Sequence, residues 1–168
     1  MICPTSEMLQ NPSKLKKLRV EGILKVRDVV RWWPALRHVP KTYKSLRIST
    51  GQLPTLKIDY FRRLIWPGLK SVKIEAYEID DFKGLLDELL HVQEIEIRVE
   101  TLTIFFDEFC SQINSFLDSK PSSTTFFDCI LKNHRIFLSD GKLKFCNYGV
   151  VHLPDPRVFH RYIRSLTH

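Results

Sequence analysis

Nucleophiles, metal ligands and paired acids all occur in this chain of 168 residues, and their spacing limits what chemistry they can do. Cys3, Cys110, Cys129 and Cys146 form no C-x-x-C pair, and His38, His91, His134, His152, His160 and His168 form no H-E-x-x-H. No closed metal site is expected from that pattern. Cys110 with a distant histidine would make a nucleophile and its base, but it sits beside Phe109 in an apolar stripe, where a small core residue is expected. Asp80-Asp81 and Asp87-Glu88 look like paired acids, yet on a helix they read as a cap and a solvated face. Neither G-x-S-x-G, G-x-G-x-x-G nor a P-loop occurs. The chain is therefore expected to be non-catalytic and to use no cofactor.

Binding chemistry is better represented. The net charge is +7 and the isoelectric point about 9.3, which points to an acidic partner. That charge is segregated. Met1 to Glu75 holds 16 Lys and Arg against 5 Asp and Glu, Ala76 to Lys120 holds 3 against 11, and Pro121 to His168 holds 7 against 3. With 43% hydrophobic residues the chain can bury one ordinary core, so residues 1–168 are expected to form a single domain. No secretory signal opens the sequence and no apolar run is long enough to span a membrane, so a cytoplasmic or nuclear protein with reduced thiols is expected.

The elements that position these charges repeat. "LKKLRVEG" from Leu15, "YKSLRIST" from Tyr43, "LKSVKIEA" from Leu69 and "VQEIEIRV" from Val92 share the pattern apolar-x-x-apolar-x-apolar. Strands are predicted near 15–22, 43–50, 69–76 and 92–99. Between them, "VRDVVRWW", stopped by Pro34, "KIDYFRRLIW", "DDFKGLLDELLH" and "TLTIFFDEFCSQINSFLDS" carry helical spacing. A strand at Leu36 is the alternative register for the second unit. Steps in the twenties, each with one strand and one returning helix, predict an α/β, leucine-rich-repeat-like solenoid of about four irregular units over 1–120. Residues 121–168 read as a mixed cap: a strand at "FFDCIL", a hairpin at "RIFLSDGKLKF" turning at Asp140-Gly141, and a basic helix at "DPRVFHRYIRSLTH". The opening "MICPTSEMLQNPSK" looks too short to cover the first unit, which suggests a piece of a longer protein.

With these strands, the large helix from Thr101 and the "SKPSSTTFFDCILKNHRIFLSDGKLKF" tail, the chain resembles the C-terminal half of the expanded F-box-associated proteins of nematode worms. The resemblance implies a part that holds a target protein while an F-box docks to the adaptor of a cullin-RING ubiquitin ligase. No F-box is recognisable in this chain, so adaptor binding would need one outside it. The Asn or Cys that closes a standard leucine-rich unit is also missing, its places being taken by Ile23, Gly51, Tyr77 and Glu100.

Strand parity then predicts a surface. With Leu18 and Val20, Leu46 and Ile48, Val72 and Ile74, and Ile95 and Ile97 inward, the outward central column is Arg19, Arg47, Lys73 and Glu96. Lys17, Ser45, Ser71 and Glu94 flank it on one side, and Glu21, Ser49, Glu75 and Arg98 on the other. Adjacent cations repel by roughly a few tenths to 1 kcal/mol per pair, and a column that tolerates this is expected to bind an acidic segment of a partner protein through Lys17, Arg19, Arg47, Lys73 and Glu96. The competing reading is a solvated face neutralised by Glu21 and Glu75. A second function is RNA binding through the basic first third, with Trp32, Trp33 and Trp66 stacking bases; packing of those tryptophans under a neighbouring unit is the alternative use of them.

Overall fold

Period-two alternation builds this molecule, and the computed structural model describes residues 1–51, 55–120, 125–132, 134–139 and 142–147 of it. The fold is α/β. Along the chain run α1 (Ser6–Leu9), α2 (Pro12–Lys16), β1 (Ile23–Val26), α3 (Val29–Leu36), β2 (Ser45–Ser49), β3 (Thr55–Leu56), α4 (Ile58–Arg62), β4 (Ser71–Ile79), α5 (Phe82–Glu88), β5 (Glu94–Leu102), α6 (Phe106–Ser119), β6 (Phe126–Leu131), β7 (His134–Ser139) and β8 (Lys142–Asn147). The strands form one sheet in the order β1-β2-β4-β5-β6-β7-β8, with β3 pairing the far end of β4. Strands β1 to β6 on that path pair in parallel, while β6-β7 and β7-β8 are antiparallel.

Two inward rows fix the register. Leu24, Leu46, Val72, Ile95 and Phe127 lie side by side, as do Val26, Ile48, Ile74, Ile97 and Cys129, and every one of them is buried. Val29 and Leu36 of α3, Phe61 of α4, Leu85 and Leu86 of α5, and Phe109, Ile113 and Phe116 of α6 complete the same core. A one-residue slip of any strand would turn its apolar row to water, so this alternation specifies the pairing strongly.

The strand expected at 15–22 is the principal correction. Asn11 starts a helix there instead: its side chain accepts from the backbone N–H groups of Ser13 and Lys14 at 3.1 and 3.3 Å, and Pro12 takes the first helical position. Leu15 is spent as the buried residue of α2, and the first strand begins after Gly22 with the alternation Ile23, Leu24, Lys25, Val26. The opening residues also reach further than expected. Ile2 bridges to Leu24 along the outer side of β1, with Ile2 N–H donating to Ile23 O at 2.7 Å and Lys25 N–H to Ile2 O at 2.8 Å, and Leu9 and Leu15 are buried in the core.

Pro34 does not stop α3, which continues to Leu36. Proline removes one N–H and crowds the preceding turn, and here only two helical residues follow it. The same helix excludes the alternative strand at Leu36. The other expected strands sit at β2, β4, β5 and β6, the last at "FFDCIL" as expected, and β7 pairs β8 as a hairpin in which Ser139 faces Lys142. The turn residues 140 and 141 and the expected C-terminal helix from Asp155 lie outside the described residues.

Helix ends explain the acid pairs. Asp80 Oδ1 accepts from the N–H of Ile58, the first residue of α4, at 3.0 Å, and Asp81 Oδ1 accepts from Gly84 N–H at 2.8 Å inside the first turn of α5. Glu88 receives Arg62 Nε at 2.9 Å, which ties α5 to α4. Where α5 ends, the Lys120 ammonium donates to the carbonyls of Leu89, Leu90 and Val92 and lies 5.5 Å from the Phe116 ring centre. Burial pulls its pKa down to about 8.

Gly51, two residues beyond β2, has φ +65°. A β-carbon there would fall 1.3 Å from Asp28 Oδ1, which lies at a left-handed residue just before α3. Gly51→Ala is expected to cost about 1 to 2 kcal/mol, measured by urea denaturation. Measured against Asp28→Gly alone, which removes the clash and also frees the left-handed residue 28, Gly51→Ala should cost only the part due to the positive φ at residue 51.

Candidate partner-binding face

On the sheet face opposite the buried rows, the central column is Lys25, Arg47, Lys73, Glu96 and Asp128. Lys25 stands where Arg19 was expected. Arg19 and Lys17 lie in the link between α2 and β1, outside the column, because that segment is not a strand. Arg47, Lys73 and Glu96 occupy their expected places. The flanking columns are Ile23, Ser45, Ser71, Glu94 and Phe126 on one side, and Ser49, Glu75, Arg98 and Ile130 on the other. Lys17 and Glu21 belong to neither.

The column is a charge gradient, three cations followed by two carboxylates. Its middle neutralises itself: Lys73 Nζ is 3.1 Å from Glu96 Oε1 and 3.6 Å from Glu75 Oε1, and Arg98 Nε is 3.1 Å from the same Glu96 oxygen. At the acidic end Asp128 is nearly enclosed and takes two parallel bonds from Arg135, at 2.8 and 2.7 Å. The basic end has no such match. Lys25, Arg27 and Arg47 make no ion pair among the described residues, and with Ser49, Lys73 and Glu75 they enclose a hollow of about 290 Å³. Strands about 4.8 Å apart keep Lys25 and Arg47 close, so their repulsion is relieved in part by Glu75 on the same hollow and otherwise by water, counter-ions or an anionic ligand.

A second hollow of about 170 Å³ lies across Arg47 and Lys73, bordered by Ser71, Glu94, Glu96 and Phe126. Glu94 is exposed and forms no ion pair among the described residues, and its register partner Phe126 is 41% exposed. Sequence reasoning missed Lys25, Arg27 and Phe126 as members of this face. The signal for the first two was present: "ILKV" between Gly22 and Asp28 alternates as a strand does, and Asn11-Pro12 marks a helix start.

The other chemistry-bearing residues pack. Burial, reinforced by Asp107, pushes the Cys110 thiol up to about 12, and burial likewise raises Cys129, so both remain thiols at neutral pH. Trp33 stacks on Tyr60 at 5.0 Å with the Arg63 guanidinium 4.7 Å from its ring centre, Arg31 lies 4.9 Å from that of Trp32, and Trp66 donates from Nε1 to Tyr43 O at 3.1 Å. Among the described residues no group of three or more His, Cys, Asp or Glu is arranged to hold a metal ion, and no helix is long and apolar enough to cross a membrane. Compared with protein-family models, curated proteins and solved structures, the chain matches none.

Proposed function

We propose that this chain is a non-catalytic protein-interaction module whose open sheet face holds an acidic segment of a partner protein. The observation that carries this reading is the pair Lys25 and Arg47, adjacent on parallel strands beside Arg27, with no carboxylate matched to them among the described residues. Arginine suits carboxylate recognition because its planar fork of donors fits two oxygens at once. Parallel strands that follow one another in chain order, each returned by a helix, support the finer reading of a leucine-rich-repeat-like solenoid. The resemblance of the repeats and tail to nematode F-box-associated proteins supports a role as the substrate-recognition part of an F-box-type ubiquitin-ligase receptor, with the adaptor reached through an F-box outside this chain.

The test is affinity purification of the tagged chain from nuclease-treated native extract, beside a Lys25→Glu, Arg27→Glu, Arg47→Glu variant and a Lys17→Glu, Arg19→Glu control. A discrete protein is expected with the wild type and the control, and at least about tenfold less of it with the triple variant. Retention of that protein by the triple variant would overturn the reading. RNA binding is the second reading, favoured by Trp32 and Trp33, only partly buried and each beside an arginine. It predicts recovery only when nuclease is omitted, and loss of binding with rising salt as phosphate contacts release counter-ions.

A further inference from the structure

The two hollows on the open face differ in charge balance: Arg47 and Lys73 border both, but the first adds Lys25 and Arg27 against Glu75 alone, whereas the second adds the carboxylates Glu94 and Glu96. On the β1-β2 side the lining is cationic, through Lys25, Arg27 and Arg47. On the β5-β6 side it is a carboxylate, Glu94, beside the exposed ring of Phe126. A carboxylate unmatched among the described residues, next to an exposed aromatic ring, is a setting for a cation, attracted by charge to one and by the ring quadrupole to the other. Glu96 lies beside it, although its own charge is already shared by Lys73 and Arg98.

We infer that the face recognises a partner segment of mixed charge, with an acidic side chain over Lys25, Arg27 and Arg47 and a basic side chain over Glu94 and Phe126. This rests on the proposed protein-binding role and narrows its ligand, because a segment that is acidic throughout would place a like charge against Glu94. The geometry also sets a spacing. Arg47 and Glu94 are two strands apart across the sheet and two residues apart along it, so ordinary sheet spacings separate them by about 9.6 Å and about 6.7 Å. The diagonal is about 12 Å, which an extended chain rising about 3.3 Å per residue covers in roughly three or four residues. Like-charge contacts repel wrong partners as effectively as opposite charges attract right ones, so the polarised face would select both sequence and direction of the bound segment.

The experiment is selection of a displayed random-peptide library on the full chain, on Glu94→Lys and on Arg47→Glu, each first checked for a wild-type melting transition. On the wild type, peptides with an acid and a base three or four positions apart are expected to be enriched roughly tenfold over peptides with two acids at those positions. On Glu94→Lys that preference should reverse in favour of two acids. Enrichment of acidic peptides with no base, unchanged by Glu94→Lys, would overturn the mixed-charge inference and leave the acidic-segment reading standing. Enrichment indifferent to charge, and unaltered by Arg47→Glu, would overturn both.

Discussion

An Asp128→Ala variant is expected to unfold with about 3 kcal/mol less free energy than the wild type, the lower end of the cost of breaking a buried ion pair. Asp128 is 5% exposed on β6, and Arg135 on β7 meets it with two parallel N–H···O bonds while its guanidinium lies 4.4 Å from the Phe137 ring centre. The pair sits where the sheet passes from parallel to antiparallel pairing, so it links the last parallel strand to the hairpin. Removing the carboxylate leaves a cation that has lost both bonds, and because the Arg135 side chain is 30% exposed, water returns part of the loss. Replacing both partners, as Asp128→Leu with Arg135→Leu, should recover most of the deficit, since apolar residues neither need those bonds nor pay desolvation. Urea midpoints with an unchanged slope would report these differences as stability alone. A single variant within about 0.5 kcal/mol of the wild type would mean that the pair behaves as a surface salt bridge.

Parity made most of this sheet legible. In "SLRIS", "SVKIE" and "EIEIR" apolar and polar residues alternate without interruption, so the inward rows, the parallel pairing and the places of Arg47, Lys73 and Glu96 followed from residue order. The first unit was misread because "LKKLRV" satisfies the same pattern while local chemistry opposes it. Asn11 and Pro12 commit the chain to a helix turn through Leu15, and the strand then starts at Ile23. Shifting the strand put Ile23, Lys25 and Arg27 where Lys17, Arg19 and Glu21 were expected, keeping that edge positive while changing every residue in it. The sequence column already set Lys73 beside Glu96, but what the sequence could not supply is the contact distances, or that Arg98 shares the same Glu96 oxygen. Lys73 and Glu96 are far apart in the chain and meet only because β4 and β5 pair in one register.

That cancellation decides which part of the face is available. The column expected from sequence, Arg19, Arg47, Lys73 and Glu96, had as its competing reading a face neutralised by Glu21 and Glu75. Lys73 is indeed within ion-pair range of Glu75, joined by Glu96, while Glu21 lies outside the face. Among the described residues of the central column, only the Lys25 and Arg47 edge retains unmatched positive charge. Surface ion pairs contribute little to stability, so the pairs around Lys73 matter more for confining the positive potential to one edge than for holding the sheet together.

Trp66→Ala is expected to cost about 3 kcal/mol, in the range of large aromatic truncations and reduced by partial exposure. The indole ties the turn before β4 to the start of β2, donating to Tyr43 O at 3.1 Å and meeting the buried Tyr43 ring edge-on at 6.3 Å. Gly68 makes this possible. A β-carbon there would lie 2.1 Å from Trp66 Cζ3, so the ring folds back over its own Pro-Gly turn only because residue 68 has none. Gly68→Val should therefore displace the ring and cost about 1 to 3 kcal/mol, seen also as a shift of the Trp66 indole N–H resonance. On a Trp66→Ala background the same substitution should cost much less, since both act on one contact; additive losses would refute the shared contact. The similar stretch Trp33-Pro34-Ala35 carries alanine at the corresponding place, and there the chain continues as helix to Leu36 while Trp33 stacks on Tyr60. Two nearly identical tripeptides thus take different roles, and the residue after proline is where they differ.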